Sequence, residues 1–180
     1  MIKKYSMCIL VFNIVKIAAM YQNDMLINLQ EKQFLHLLIP SCFSILATPL
    51  ESDSFQEFIH LNACDVTKWA EFIALKEYKN QPRIIEFIFP KLKEVFEAFP
   101  SNKIYEETIS KFPHYITATL VGRHMNTMGN EMVLARYFAS KDNCIGLHYR
   151  IAWDTKESSK KALRYLQSFA KNNFEVLKMQ

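Results

Sequence analysis

The reading of the fold turns on the stretch from Tyr115 to Trp153, YITATLVGRHMNTMGNEMVLARYFASKDNCIGLHYRIAW. Its two ends, Tyr115-Ile116-Thr117-Ala118-Thr119-Leu120-Val121 and Cys144 to Trp153, are rich in β-branched and aromatic residues, which suit a pleated, half-buried surface. Lys141-Asp142-Asn143 carries turn chemistry for a hairpin. The middle reads differently: Met132, Val133, Ala135, Arg136, Tyr137 and Phe138 follow Asn130-Glu131 as a capped helix would. Two fold classes therefore stand open. One is an all-α multi-helix bundle; the other is an α+β protein with a small antiparallel sheet from residues 115–153.

Working outward, helical spacing dominates. Leu26, Ile27, Leu29, Phe34, Leu35, Leu37 and Leu38 predict a helix that Pro40 stops. Ser52-Asp53-Ser54 offers N-caps for a helix carrying Phe55, Phe58 and Ile59. Asp65 caps a third, with Trp69, Phe72, Ile73 and Leu75 inward and Lys68, Glu71, Lys76 and Glu77 outward. Pro82 suits a first helical turn, and the apolar series Ile84 to Phe99 follows, kinked or restarted at Pro90. Ile104 to Phe112 predicts a shorter helix. In the tail, Lys156 to Asn173 sets Ala162, Tyr165, Leu166 and Phe169 against Lys160, Lys161, Arg164 and Lys171. The balance favours the all-α bundle, divided into an N-terminal helical extension over residues 1–40 and a single helical domain over 41–180.

Composition narrows the function classes. Half of the 180 residues are apolar and fourteen are Phe, so a core is readily filled, while three Gly argue against a β fold built on tight turns. The net charge of +4 comes without any basic block, which argues against nucleic acid as a partner. The four cysteines, Cys8, Cys42, Cys64 and Cys144, form no CxxC pair and read as reduced, buried thiols of a cytoplasmic protein. Residues 1–20 keep three readings: a signal peptide, with Ala18 and Ala19 near a candidate cleavage point, a helix packed on the domain, or one lying on the inner membrane face. Cys8 beside Lys3 and Lys4 would suit palmitoylation in the last case, and the apolar run is too short to span a bilayer.

Catalytic signatures are sparse. His60 and Cys64 are only two ligands and do not make a metal site. The three glycines are scattered, so no phosphate loop exists. Glu94/Glu97 and Glu106-Glu107 read as solvated faces, and a Cys–His pair would have to be assembled in space. The expectation is a protein that binds a protein partner, with no metal and no cofactor.

Five blocks, in order, resemble a regulator of G-protein signalling (RGS) homology domain across residues 42–149. They are Ile45-Leu46, Pro49, Phe55 and Phe58-Ile59; then Phe72-Ile73-Ala74-Leu75-Lys76-Glu77-Tyr78-Lys79; then Leu92-Lys93-Glu94-Val95-Phe96-Glu97-Ala98-Phe99. Thr108 with Phe112, and Leu134 to Asp142-Asn143 with Leu147, complete the series. The resemblance implies a helical bundle that binds a G-protein alpha subunit and speeds GTP hydrolysis by ordering groups the G protein already holds. It places partner contacts at Thr67, Lys68, His114, Tyr115, Asp142 and Asn143. Only Asp142 keeps the family's residue, and Gly146 stands where the supporting arginine belongs, which weakens the implied GTPase activation. The competing expectations are an unrelated inhibitor or immunity-type protein, or an enzyme whose site is assembled only in the fold.

Overall fold

The computed structural model describes residues 23–30, 33–40, 42–45, 54–60, 70–79, 83–126, 129–141 and 143–178. Ten strands and two helices lie among them: β1 Asn23–Gln30, β2 Gln33–Ile39, β3 Phe43–Ile45, β4 Ser54–His60, β5 Glu71–Lys79, α1 Ile84–Glu97, β6 Lys103–Lys111, β7 Tyr115–Asn126, β8 Gly129–Ser140, β9 Asn143–Trp153, α2 Lys156–Asn172 and β10 Phe174–Lys178. A seven-stranded sheet runs in the order β3-β4-β5-β9-β8-β7-β6, and a three-stranded one in the order β1-β2-β10. Their pairings are antiparallel throughout.

The fold is α+β, which overturns the all-α bundle and the RGS resemblance resting on it. The helices expected over Leu26–Ile39, around Phe55–Ile59, over Phe72–Leu75, over Ile104–Phe112 and over Met132–Phe138 are strands β1 and β2, β4, β5, β6 and β8. The physical reason lies in the centre of the large sheet. β8 has both faces covered, and β9 is buried on both over residues 144–147, so apolar residues occur in both phases and the alternation that marks a strand disappears. On β8, Met132, Leu134 and Phe138 are buried on one face and Val133, Ala135 and Tyr137 on the other. The α+β alternative has the right class, but the sheet extends well beyond residues 115–153.

Two helices form where they were expected, Ile84–Glu97 and Lys156–Asn172. Pro90 sits inside α1 without dividing it. α2 opens with a capping box: Thr155 accepts from the Ser158 amide, and Ser158 accepts in return from the Thr155 amide.

The two faces of the large sheet are dressed unequally. On one face α2 and the small sheet bury Ile73, Leu75, Leu134, Leu147 and Tyr149 against Leu37, Ile39, Leu166 and Phe169. Tyr149 is the hinge of this core: fully buried, it meets Phe169 edge-on at 4.9 Å and Phe43 at 5.7 Å, and its hydroxyl donates to Glu71 Oε2 at 2.6 Å. On the other face α1 packs over β6, β7 and β8, where Ile85, Phe89 and Phe96 meet Ala118, Leu120, Val133, Ala135 and Tyr137. Among the described residues, no helix is long and apolar enough to cross a membrane.

Candidate functional site

Because α1 lies over β6–β8, it leaves a strip of β5 and β9 beside it. The strip is a groove of about 370 Å³ lined by Phe72, Ala74, Lys76 and Tyr78 from β5 and by Gly146, His148 and Arg150 from β9. All seven belong to one phase of the pleat, since Phe72 pairs with Arg150, Ala74 with His148, Lys76 with Gly146 and Tyr78 with Cys144.

Gly146 shapes the floor. It pairs with Tyr137 of β8, and a Cβ there would lie 2.7 Å from the Tyr137 ring. The missing side chain lets Tyr137 fold across β9 and reach the next residue on that face, His148, with its hydroxyl 2.6 Å from Nε2. Phe89 of α1 meets the same Tyr137 ring edge-on at 6.3 Å. Tyr137 is thus the wall between the core under α1 and the groove.

The Tyr137–His148 pair at the groove floor is held uncharged. Burial, helped by the Arg150 charge, pulls His148 down to about 4, and burial raises the Tyr137 hydroxyl well above its ordinary value. With the imidazole neutral, the hydroxyl donates and Nε2 accepts. Burial also pushes the Cys144 thiol up to about 12, away from the reactive thiolate. Cys144 and His148 share a face of β9 four residues apart, about 13 Å at roughly 3.3 Å per residue, which is too far for a nucleophile–base pair.

At the far end of the groove Arg150 lies 3.7 Å from Glu131 Oε2, which is also 3.8 Å from His124 Nδ1. Glu131 is buried and its Oε2 accepts no hydrogen bond, so these two neighbours supply its electrostatic partners. Phe96 covers His124 at 5.7 Å.

The outer side of the neighbouring helix carries exposed apolar residues. Lys93 of α1 reaches Glu107 on β6 at 2.9 Å, so the opposite flank of the helix is turned toward β9 and β5. Phe87, Lys91 and Val95, spaced four apart, run along its exposed side; Phe87 is 64% and Val95 49% accessible.

The residues expected to touch a partner fall elsewhere. Thr67, Lys68 and Asp142 lie outside the described residues. His114 is exposed in the turn between β6 and β7, Tyr115 opens β7 and Asn143 opens β9. The structure does bring the last two together: Tyr115 pairs with Ser140, whose Oγ accepts from the Asn143 amide at 3.2 Å. Cys64 lies outside the described residues, His60 ends β4, and no cluster of three metal-ligating side chains occurs among the described residues. The sequence reading put Tyr137 in a helix and took Gly146 for a lost arginine, and it singled out neither His148 nor Arg150. The signal that points to them is an isolated glycine in a β-rich run, which marks a close approach by a neighbour.

No known protein family matches the sequence, and no curated protein matches it. Solved structures match in shape. The Ran-binding protein Mog1p of Saccharomyces cerevisiae is similar with a TM-score of 0.50 and 9% identity, over 82% of this chain and 96% of that one. LpqN of Mycobacterium tuberculosis, described as involved in cell envelope biogenesis, is similar with a TM-score of 0.51 and 10% identity, over 86% of this chain and 91% of that one. At such identities the likeness concerns the fold alone, and that fold is the sheet-based one described above, not a helical bundle.

Proposed function

We propose that the protein is a partner-binding module that docks a protein segment into the groove between α1 and the β5–β9 strip. The observation that carries this reading is a preformed groove on a sheet whose neighbouring helix exposes large apolar side chains. Phe72 and Tyr78 line the groove beside Lys76 and Arg150, and Phe87 and Val95 stand more than two-fifths exposed on the adjoining helix. Aromatic residues and arginine are the side chains that dominate binding energy at interfaces. The cations around them favour a segment with acidic residues flanking an apolar anchor.

That Mog1p, similar in fold, is a Ran-binding protein supports a role in protein binding. It does not name the partner. The resemblance that pointed to a G-protein alpha subunit has fallen with the helical bundle, and GTPase activation goes with it. The Tyr137–His148 pair serves this reading as a rigid, uncharged wall that presents the groove without needing to reorganise.

The test is affinity capture with the full chain and with two variants, Phe87→Glu/Val95→Glu and Arg150→Glu. A partner held by this face is lost or weakened by roughly 30-fold or more in both, the scale of hot-spot losses. It is retained by Glu157→Gln, an exposed change in the first turn of α2. Equal capture by all four chains would sink the assignment.

A further inference from the structure

The opposite face of the sheet carries a second pocket, of about 250 Å³, where α2 ends short of β6. Its lining is almost wholly polar. Thr108 pairs with Thr119 and Ser110 with Thr117 across β6 and β7, so four hydroxyls stand in two adjacent pairs. Thr117 and Thr119 are buried. Arg136 of β8 and Lys171 of α2 supply cations, and Glu106 one carboxylate.

Arg136 is held with unusual completeness on every side but one. Its guanidinium lies 5.1 Å from the Phe138 ring centre and 4.6 Å from that of Phe174. One terminal nitrogen donates to the Ala170 carbonyl, one of those left free at the end of α2. Its Nε is buried and has no hydrogen-bond partner. Buried donors are normally satisfied, so Arg136 lines the pocket beside the four hydroxyls with one donor that no protein group satisfies.

We propose that this pocket binds a small hydroxylated carboxylate, with the carboxylate on Arg136 and the ligand hydroxyls on the Ser/Thr pairs and Glu106. The volume is below the range of about 300–1,000 Å³ typical of drug-sized pockets, so the ligand is small. Glu106 accepts from Gln167 at 3.4 Å and can accept from a ligand hydroxyl as well. The same carboxylate repels a doubly charged phosphate, which is why a singly charged, hydroxyl-bearing ligand fits better. Arg136 is already fixed by its two rings and the helix end, so binding costs little side-chain ordering.

The experiment titrates the isotope-labelled full chain with gluconate, and separately with acetate and with inorganic phosphate, following the Arg136 Nε–H signal and the Thr117 and Thr119 amides by NMR. Gluconate should move all three and bind about tenfold more tightly than either comparison ion, the scale of a few added hydrogen bonds to charged groups. Arg136→Lys should weaken gluconate about tenfold or more. Because that change also disturbs the end of α2, Ser110→Ala and Thr119→Val serve as second variants, each expected to weaken binding several-fold with the Arg136 contacts intact. The proposal is overturned if saturating gluconate leaves the Arg136 signal in place, if phosphate binds as tightly, or if the two hydroxyl variants bind like the parent chain.

Discussion

The Tyr137 ring lies across Gly146, its cross-strand partner, so closely that a methyl group at position 146 would sit 2.7 Å from the ring. An aromatic over a strand glycine restores packing that the glycine forfeits, and here it also carries the Tyr137 hydroxyl to His148. Gly146→Ala should therefore destabilise the protein by about 1–3 kcal/mol, the usual cost of overfilling a packed site. In a Tyr137→Leu background, which removes the ring, the added cost of Gly146→Ala should fall below about 0.5 kcal/mol. Urea unfolding of the four chains measures both numbers, and equal costs in the two backgrounds would show that the ring is not the obstacle.

Arg150 and Glu131 form the second dependency around the groove. Glu131 is buried, and its Oε2 rests on Arg150 at 3.7 Å and His124 at 3.8 Å. Arg150→Leu leaves that carboxylate with one neighbour fewer and should cost about 1–3 kcal/mol, less than a fully buried pair because the Arg150 side chain is 42% accessible. Glu131→Gln in the same chain removes the stranded charge and should recover part of the loss. A double variant as unstable as the sum of the singles would show that the two side chains do not interact.

What the sequence disclosed follows the same physics. α2 was legible because one side meets the sheet and the other meets water, so Ala162, Leu166 and Phe169 face in while Lys160, Lys161 and Arg164 face out. β5 was not. Ile73 and Leu75 enter the α2 core while Phe72, Ala74, Lys76 and Tyr78 line the groove, and the sum of the two phases reads as a helix with an apolar face. β8 hides its period more completely, since Glu131, at its start on the groove side, is buried too. The α1 segment was legible as helical, but the break expected at Pro90 is absent, because Pro90 lies on the exposed side and leaves the buried series Ile85, Phe89 and Phe96 in helical register. The groove itself is a product of strand order. β5 and β9 are neighbours in the sheet yet lie 64 positions apart between Glu71–Lys79 and Asn143–Trp153, counted from Lys79 to Asn143, and no local pattern announces that pairing.

Phe96 offers a direct measure of the core under α1. It is 4% exposed, lies over Gly122 and touches the His124 ring. Phe96→Ala should cost about 3–5 kcal/mol by opening a cavity the sheet cannot fill. Trp69, expected inward on the helix capped by Asp65, lies outside the described residues. A loss below about 1 kcal/mol at Phe96 would mean that α1 is not packed over β7 as described.

His148 makes stability depend on pH in a defined window. Burial first, and the Arg150 charge second, bring its folded value from 6.5 to about 4. Above 6.5 the side chain is neutral in both folded and unfolded chains and contributes nothing to the slope. As pH falls from about 6.5 toward 4, the unfolded chain takes up a proton that the folded chain refuses, so stability drops across this range. Below about 4 the folded form is protonated too, and the contribution levels off. A shift of this size corresponds to about 3 kcal/mol over the whole window. Carboxylates elsewhere add their own slope, so the informative quantity is the difference from His148→Gln, whose side-chain oxygen can still accept from Tyr137. Between pH 7.5 and 4.5 the parent chain should lose about 2–3 kcal/mol more than this variant in urea unfolding. Parallel losses in the two chains would show that His148 takes its proton in the folded groove as readily as it does in water, and the wall formed with Tyr137 would then be a solvated pair.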